Sequence, residues 1–456
     1  MQDKIEAFKQ NIRGKQVTVL GIGISNLPLV KFLVRLGAVV TAADKRSEAD
    51  LGSAAEELKA LGVKLITGEN YLDDLSGEYI FKTPGMRFDV PQLLEAKERG
   101  SIITSEMEVF FELCPAPIVA VTGSDGKTTT TTLIYNMLTE GGYKCHLGGN
   151  IGKPLLPEVE SIAPVDIAVL ELSSFQLHTM KKSPHIAVIT NMSPNHLDWH
   201  KDYEEYKDAK RNIYLHQGEG DVLVLNAENP DAYDCRGGAK GEVRLFGYDE
   251  SCNVYSKGGA IFAFGKEILK TSDIKIPGEH NVQNYMTAIA AVGDMVSPEA
   301  IVKVAREFGG VPHRIELVRV KDGVKYYNSS IDSSPNRTIN TLKVFDKVIL
   351  IAGGKDKGIP YDELGESLAT KTSAIFLVGM TAGVIKAALD KYAEKTGVGG
   401  DIPVEICESY EEAVREAAGI AKPGDVVLMS NASTSFDKFR NFEERGNLFK
   451  KLVSEL

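Results

Sequence analysis

At 456 residues the chain is too long for one ordinary hydrophobic core, and 43% apolar with 25% charged residues is the balance of a globular protein. A formal charge of −11 argues against wrapping nucleic acid, although a local positive site can still hold a small anion. No run of about 18 apolar residues is present to span a membrane, and the five scattered cysteines lack CxxC spacing, which argues against zinc and disulfides and for a reducing cytoplasm.

The opening MQDKIEAFKQNIRGKQ is charged throughout and lacks the apolar centre of a signal peptide. After it, QVTVLGIG, the helical run NLPLVKFLVRLG and AVVTAAD read as a βαβ unit. The series continues through KLITG and YIFKTPG to SEMEVFFELC. PIVAVTG opens a second series, with VDIAVLELSS, HIAVITNMS, DVLVLNAEN and the helical HNVQNYMTAIAAVGDM. A third holds KVILIAGG, SAIFLVG and DVVLMSNAS, each followed by a helical run. Alternation of this kind predicts α/β layers with mostly parallel sheets in three domains, 1–106, 107–310 and 311–456. No low-complexity linker marks the boundaries, and no internal repeat is evident.

AVTGSDGKTTTTTLIYNML places GxxGKT, Gly123 to Thr128, between a strand and a helix. The first glycine of the full Walker pattern is Val121 here, yet the working parts remain. Gly123 and Gly126 allow the backbone to curl with its N–H groups inward, and the helix adds its positive end. Lys127 can neutralise β/γ-phosphate charge, and the Thr128 hydroxyl can sit on Mg²⁺. ATP is the expected ligand, because no guanine-specifying NKxD is found. At successive strand ends, where ligands lie in open α/β sheets, come Glu171 in LELSSFQL and His196 with Asp198 in NMSPNHLDWH. Each alone reads as an ordinary loop polar group; together with the loop they point to a metal-and-phosphate site. GIGISN followed by Asp44 imitates a dinucleotide fingerprint, but Asn26 replaces its third glycine. An NAD-dependent oxidoreductase read from GIGISN leaves the phosphate loop unexplained.

VTGSDGKTT, GGNIGKP, LELSSFQL, NMSPNHLDWH, IPGEHNVQN, VPHRIE, AGGKDKG and SFDKFRNFEERG occur along the whole chain in the order seen in the Mur ligases. The chain resembles this family, and within it the members that add D-glutamate to UDP-N-acetylmuramoyl-L-alanine. The resemblance implies a Rossmann-like N-terminal domain for the UDP-substrate, a P-loop ATPase-like central domain and a Rossmann-like C-terminal domain for the amino acid. It implies an amide-bond ligase of cytoplasmic peptidoglycan synthesis, acting through an acyl phosphate, with ATP and two Mg²⁺ as cofactors, and a monomer. A relative adding a different amino acid, one acting on folate and a non-catalytic nucleotide-binding regulator are the alternatives.

By the same resemblance, Gly123, Ser124, Asp125, Gly126, Lys127, Thr128 and Thr129 hold the ATP phosphates. Thr128 and Glu171 hold one Mg²⁺; His196 and a carbamylated Lys210 support the second. Lys127, Asn150, His196 and Lys210 surround the reacting groups, although Lys210 by itself reads as a solvated helix lysine. Asn284, sharing a helix face with Asn281, would meet adenine together with His313 and Arg314; Asp332 would contact ribose or ATP. Ile24, Ser25 and Asn26 are implied at the substrate diphosphate, Asp44 and Arg46 near uracil, and Thr83, Pro84 and Gly85 on the same rim. Lys357, Ser435, Phe436 and Phe442 are implied for D-glutamate, with core packing the equal alternative for Phe442. Two departures stand out. In the segment 332–337, Ser334 stands where many relatives have lysine, with Arg337 nearby as a substitute charge, and Asp125 stands where relatives usually have Asn.

Overall fold

The structure, a computed structural model, is described for residues 2–23, 26–356 and 358–456. Each strand series forms its own sheet. The first sheet has five parallel strands in the order Lys64–Thr67, Val39–Asp44, Gln16–Leu20, Tyr79–Phe81, Ile102–Thr104. The helix Asn26–Arg35 connects its central strand to the next and buries Leu29, Val30, Phe32 and Leu33, the one-sided stripe of an amphipathic helix.

The second sheet has nine strands. Third from one edge, the phosphate-loop strand Ile118–Thr122 lies between Ile167–Glu171 and Ile186–Ile189, all parallel and fully buried. Such strands are covered on both faces, which is why they read as unbroken apolar runs. Cys145–Gly149 forms one edge. On the other side, beyond Val222–Asn226 and Glu242–Gly247, comes an antiparallel meander of Val254–Lys257, Ala260–Ala263 and Lys266–Lys270. The strand reading from apolar runs did not mark this meander: its short strands turn at Gly258, Gly259 and Gly265, all at positive φ. The third sheet runs Glu316–Lys321, Val324–Ser329, Val426–Ser430, Val348–Gly353, Thr372–Val378, Val404–Cys407. Its first two strands form an antiparallel hairpin, likewise unmarked, and the rest pair in parallel.

The chain divides into two compact units: the residues up to Asp273 with His280–Ala305, and Ile274–Glu279 with Arg306–Leu456. In the first unit the two sheets share one core, in which Ile12, Val19 and Phe110 join Leu155, Leu170 and Ile189. Burying side chains of this size contributes roughly 1.5–3 kcal/mol each. The second unit is layered, with Leu350 and Leu377 packed on one side of its sheet and Ile351, Val427 and Phe449 on the other.

Candidate active site

The strand Ile118–Thr122 delivers its carboxyl end into Gly123–Gly126, and the helix Lys127–Glu140 starts immediately. Gly123 has φ 152°, and a Cβ there would lie 1.9 Å from Thr190 Oγ1. Gly126 caps the helix in the left-handed region, and a Cβ would lie 2.5 Å from Asn284 Oδ1. Both positions therefore require glycine. Thr190 Oγ1 donates to the Asp125 carbonyl at 2.6 Å, and the Asp125 amide donates to Asn191 Oδ1 at 3.0 Å, fixing the loop from the neighbouring strand end. The Ser124 hydroxyl lies 2.8 Å from Tyr206 Oη and accepts the Ser193 amide at 2.9 Å. Lys127 Nζ donates to the Gly123 and Ser124 carbonyls, each at 2.9 Å. Thr128 and Thr129 lie half-buried in the first helical turn, whose amides carry the positive end of the helix.

Glu171 ends the adjacent strand and is 1% exposed. Its Oε1 accepts Asn150 Nδ2 at 2.7 Å, while the buried Oε2 has no hydrogen-bond partner. Asn150 is set by its own amide, which donates to the Glu171 carbonyl at 2.8 Å. An orphaned buried carboxylate oxygen needs an explanation. One oriented carboxylate beside a phosphate-type loop and threonine hydroxyls is a donor set suited to a hard, oxygen-seeking cation such as Mg²⁺. The residues present fit that ion.

Lys210 is not a solvated helix lysine. The helix Tyr203–Arg211 turns Glu204 and Asp208 outward and buries Tyr206, Ala209 and Lys210. Lys210 Nζ donates to the Gly123 carbonyl at 2.8 Å and Thr122 Oγ1 at 3.3 Å, and lies 4.7 Å over the Tyr206 ring. Burial first, then the charge of Lys127, pushes its amine well below the ordinary lysine value; Glu171 and Asp125 oppose the shift. His196 is exposed, at φ 53°, with its ring 4.9 Å from that of Phe175. Desolvation lowers its pKa, Asp198 opposes, and the charges of Lys127 and Lys210 lower it further. Lys127, Glu171, Asn150, His196 and Lys210 thus gather at the carboxyl edge of the nine-stranded sheet. Asn284 joins them from the helix Glu279–Val292: its Oδ1 accepts Thr130 Oγ1 at 3.3 Å, and its Nδ2 donates to Asn281.

On the five-stranded sheet, Asn26 is buried and donates to the Leu20 carbonyl at 2.9 Å. Asp44 accepts the Ile22 amide at 2.6 Å and Arg46 Nη2 at 2.8 Å. Burial alone would raise the Asp44 carboxyl; the Arg46 and Ile22 hydrogen bonds outweigh it and hold the pKa below the ordinary value. Thr83 faces Gly21, where a Cβ would lie 3.2 Å from it, and the Gly85 carbonyl accepts Trp199 Nε1 at 2.8 Å. Ile24 and Ser25 lie outside the described residues, as does Lys357.

In the second unit His313 is buried at φ 64°, its Nδ1 3.0 Å from Asn328 Nδ2. Arg314 is exposed. Asp332 is buried and accepts Thr341 and Ser430 hydroxyls at 2.7 and 2.8 Å; burial raises its pKa against those bonds. Ser435 is buried, Phe436 is 62% exposed, and Phe442 is half-buried beside the His313 ring. Arg337 turns its guanidinium back onto the Ile331 carbonyl. Sequence reasoning missed Arg445, whose side chain is almost fully buried and donates to Ser330 Oγ, the Ser330 carbonyl and the Ser433 carbonyl. The signal was present: Arg445 falls on the stripe continued by Phe449 and Val453, where a charge demands partners.

Three family patterns match in order: the Mur ligase MurD-like N-terminal domain over 15–105, the Mur ligase middle domain over 121–292 and the Mur ligase glutamate ligase domain over 313–432. The chain is 56% identical, over all of both chains, to the UDP-N-acetylmuramoylalanine–D-glutamate ligase of Acetivibrio thermocellus, and 53% identical to that of Ruminiclostridium cellulolyticum with the same coverage. Its fold is similar to the UDP-N-acetylmuramate–alanine ligase of Thermotoga maritima, with a TM-score of 0.60 at 18% identity over 97% of this chain and 99% of that one. With three domains matched in sequence order and relatives of this identity along its whole length, the chain belongs to the Mur ligase family.

Proposed function

We propose that this chain is an ATP-dependent ligase that joins D-glutamate to UDP-N-acetylmuramoyl-L-alanine in peptidoglycan precursor synthesis. The observation that carries the reading is the full-length identity of 56% to an enzyme of that name, and the partnerless Glu171 oxygen beside the phosphate loop supplies the chemistry to go with it. The substrate carboxylate takes the γ-phosphoryl group of ATP; the amine of D-glutamate attacks the acyl carbon; phosphate leaves and the amide remains. Every reactant is anionic, so the site's task is to offset repulsion where charge develops.

Lys127 and the amides of Gly123–Thr129 hold the phosphates, with Asn284, Arg314 and Asp332 toward the nucleoside. Thr128 and Glu171 would hold one Mg²⁺, and His196 with Lys210 a second; bound Mg²⁺ supplies positive charge to the phosphoryl oxygens. Asn150 orients Glu171. CO₂ adds to an uncharged amine, giving N-carboxylate and a proton, and the burial of Lys210 favours that amine. Asn26, Asp44, Arg46, Thr83 and Gly85, with Ile24 and Ser25, bind the UDP end; Lys357, Ser435, Phe436 and Phe442 bind D-glutamate. The domain limits 106 and 311, a monomer and a cytoplasmic location complete the reading; five free cysteines agree with a reducing compartment.

Phosphate release from ATP with UDP-N-acetylmuramoyl-L-alanine and Mg²⁺ tests it, comparing D-glutamate, L-glutamate and L-lysine. Release with D-glutamate alone, matched by the new nucleotide-linked dipeptide in mass spectrometry, is expected. Release with another amino acid would favour the second reading, a Mur ligase of different specificity, which Ser334 motivates.

A further inference from the structure

Next to Tyr206, whose hydroxyl contacts Ser124 of the phosphate loop, three side chains of the first unit face one another. They are His178 after the helix Ser174–Leu177, His200 ahead of the helix Tyr203–Arg211, and Glu205 in its first turn. One donor atom from each lies within 4.8 Å of the others. His178 Nε2 is 3.5 Å from Glu205 Oε1, and His200 Nδ1 is 3.7 Å from Oε2. Donors bound at about 2.0–2.1 Å to a tetrahedral Zn²⁺ stand about 3.4 Å apart, so small movements would close the set.

The His200 side chain is fully buried, and its Nε2 lies 3.0 Å from Ser174 Oγ. The tautomer that donates Nε2–H to that hydroxyl leaves a lone pair on Nδ1, which faces Glu205 and has no hydrogen-bond partner. Metal-bound histidines are oriented in this way by their second nitrogen. His178, with its side chain 8% exposed, turns Nε2 toward Glu205. Burial holds both rings below the ordinary histidine value, His200 at about 4, so both offer neutral imidazole near pH 7.

We propose that His178, His200 and Glu205 form a three-ligand site for a nitrogen-preferring divalent transition ion, of which Zn²⁺ is the probe, with donors distinct from Thr128, Glu171, His196 and Lys210. Two imidazoles and a carboxylate with one position open are ligands that such ions take and that Mg²⁺ does not favour. Arg87 competes for the carboxylate: its Nη1 and Nη2 donate to Glu205 Oε2 and Oε1 at 3.1 and 3.0 Å. The same guanidinium donates to the Trp199 carbonyl and lies 5.0 Å over the Trp199 ring. Trp199 in turn donates to Gly85 and sits three residues after His196. Ion binding therefore draws Glu205 from Arg87 and loosens the staple between the Gly85 turn and the segment that carries His196.

Equilibrium dialysis of the full chain with Zn²⁺, in excess Mg²⁺, tests the site, with visible absorption of bound Co²⁺ as a second readout. One ion per chain is expected. His178→Gln and His200→Asn should each weaken binding by at least about tenfold, and Glu171→Gln should leave it unchanged. His178→Gln, at a side chain that keeps some exposure, and the gain expected in Arg87→Met guard against misfolding of the fully buried His200 variant. Arg87→Met should bind Zn²⁺ more tightly, the direction opposite to the ligand variants. Equal affinity in His178→Gln, or loss of the ion in Glu171→Gln instead, would overturn the proposal, as would no bound ion in the parent chain or unchanged affinity in Arg87→Met.

Discussion

Asp125 brings a carboxylate to a loop otherwise made for anions. Its side chain is exposed and its backbone alone fixes the loop, so the amide side chain would keep every bond described. Asp125→Asn is expected to lower the KM for ATP about two- to fivefold, the size of one screened charge at this range, with kcat unchanged. A large loss of kcat would count against it. Lys210 carries the opposite lesson. Its type and its place among charged helix neighbours gave no sign of burial; only tertiary packing against Thr122, Gly123 and Tyr206 turns it inward. With ¹³C-bicarbonate, the parent chain should show a carbamate carbon resonance that Lys210→Arg lacks, and that variant should lose on the order of a hundredfold in ligation rate. By contrast Gly123, Gly126, Lys127 and Glu171 were legible, because a turn requiring glycine and a carboxylate at a strand end leave local marks. Arg445 was legible in principle, as a charge on an apolar stripe.

Helices and strands were read best where one face or both faces are buried. The βαβ unit at the start and the buried central strands of the second and third sheets follow from that rule. The meander at 254–270 and the hairpin at 316–329 escaped because half-exposed short strands lack long apolar runs. The helix Glu106–Leu113 shows how one element joins two sheets. Its first residue is buried and accepts the Leu156 amide at 2.8 Å, while Phe110 fills the shared core. Burial, opposed by the Leu156 and Leu155 amides, raises the Glu106 carboxyl to about 7. A raised folded pKa means stability is fully present below about 4.5, the unfolded value, and lost as pH climbs through about 7. The loss is at most about 3 kcal/mol. Glu106→Gln keeps an acceptor for Leu156 and removes the charge. Melting temperatures from pH 5 to 8 should fall for the parent relative to this variant; parallel curves would refute the assignment.

Two units with separate cores predict two unfolding steps rather than one. Calorimetry should resolve them, and a non-hydrolysable ATP analogue should raise the transition of the unit holding the phosphate loop. Lys127→Met should abolish that shift while leaving both transitions present; a single unshifted transition would speak against the division. The sharing of one core by the first two sheets had no mark in the sequence, since the contacts join residues far apart in the chain, as Glu106 with Leu156 and Arg35 with Glu160. At Gly149, with φ 98°, an added Cβ would lie 2.2 Å from the Glu171 carbonyl, and at Gly123 it would strike Thr190. No side chain is admissible at either place without moving the strand that carries Glu171 or the one that leads to Thr190. An inhibitor resting on these two backbones would lean on surface that point mutation has little room to reshape, so resistance would have to arise elsewhere.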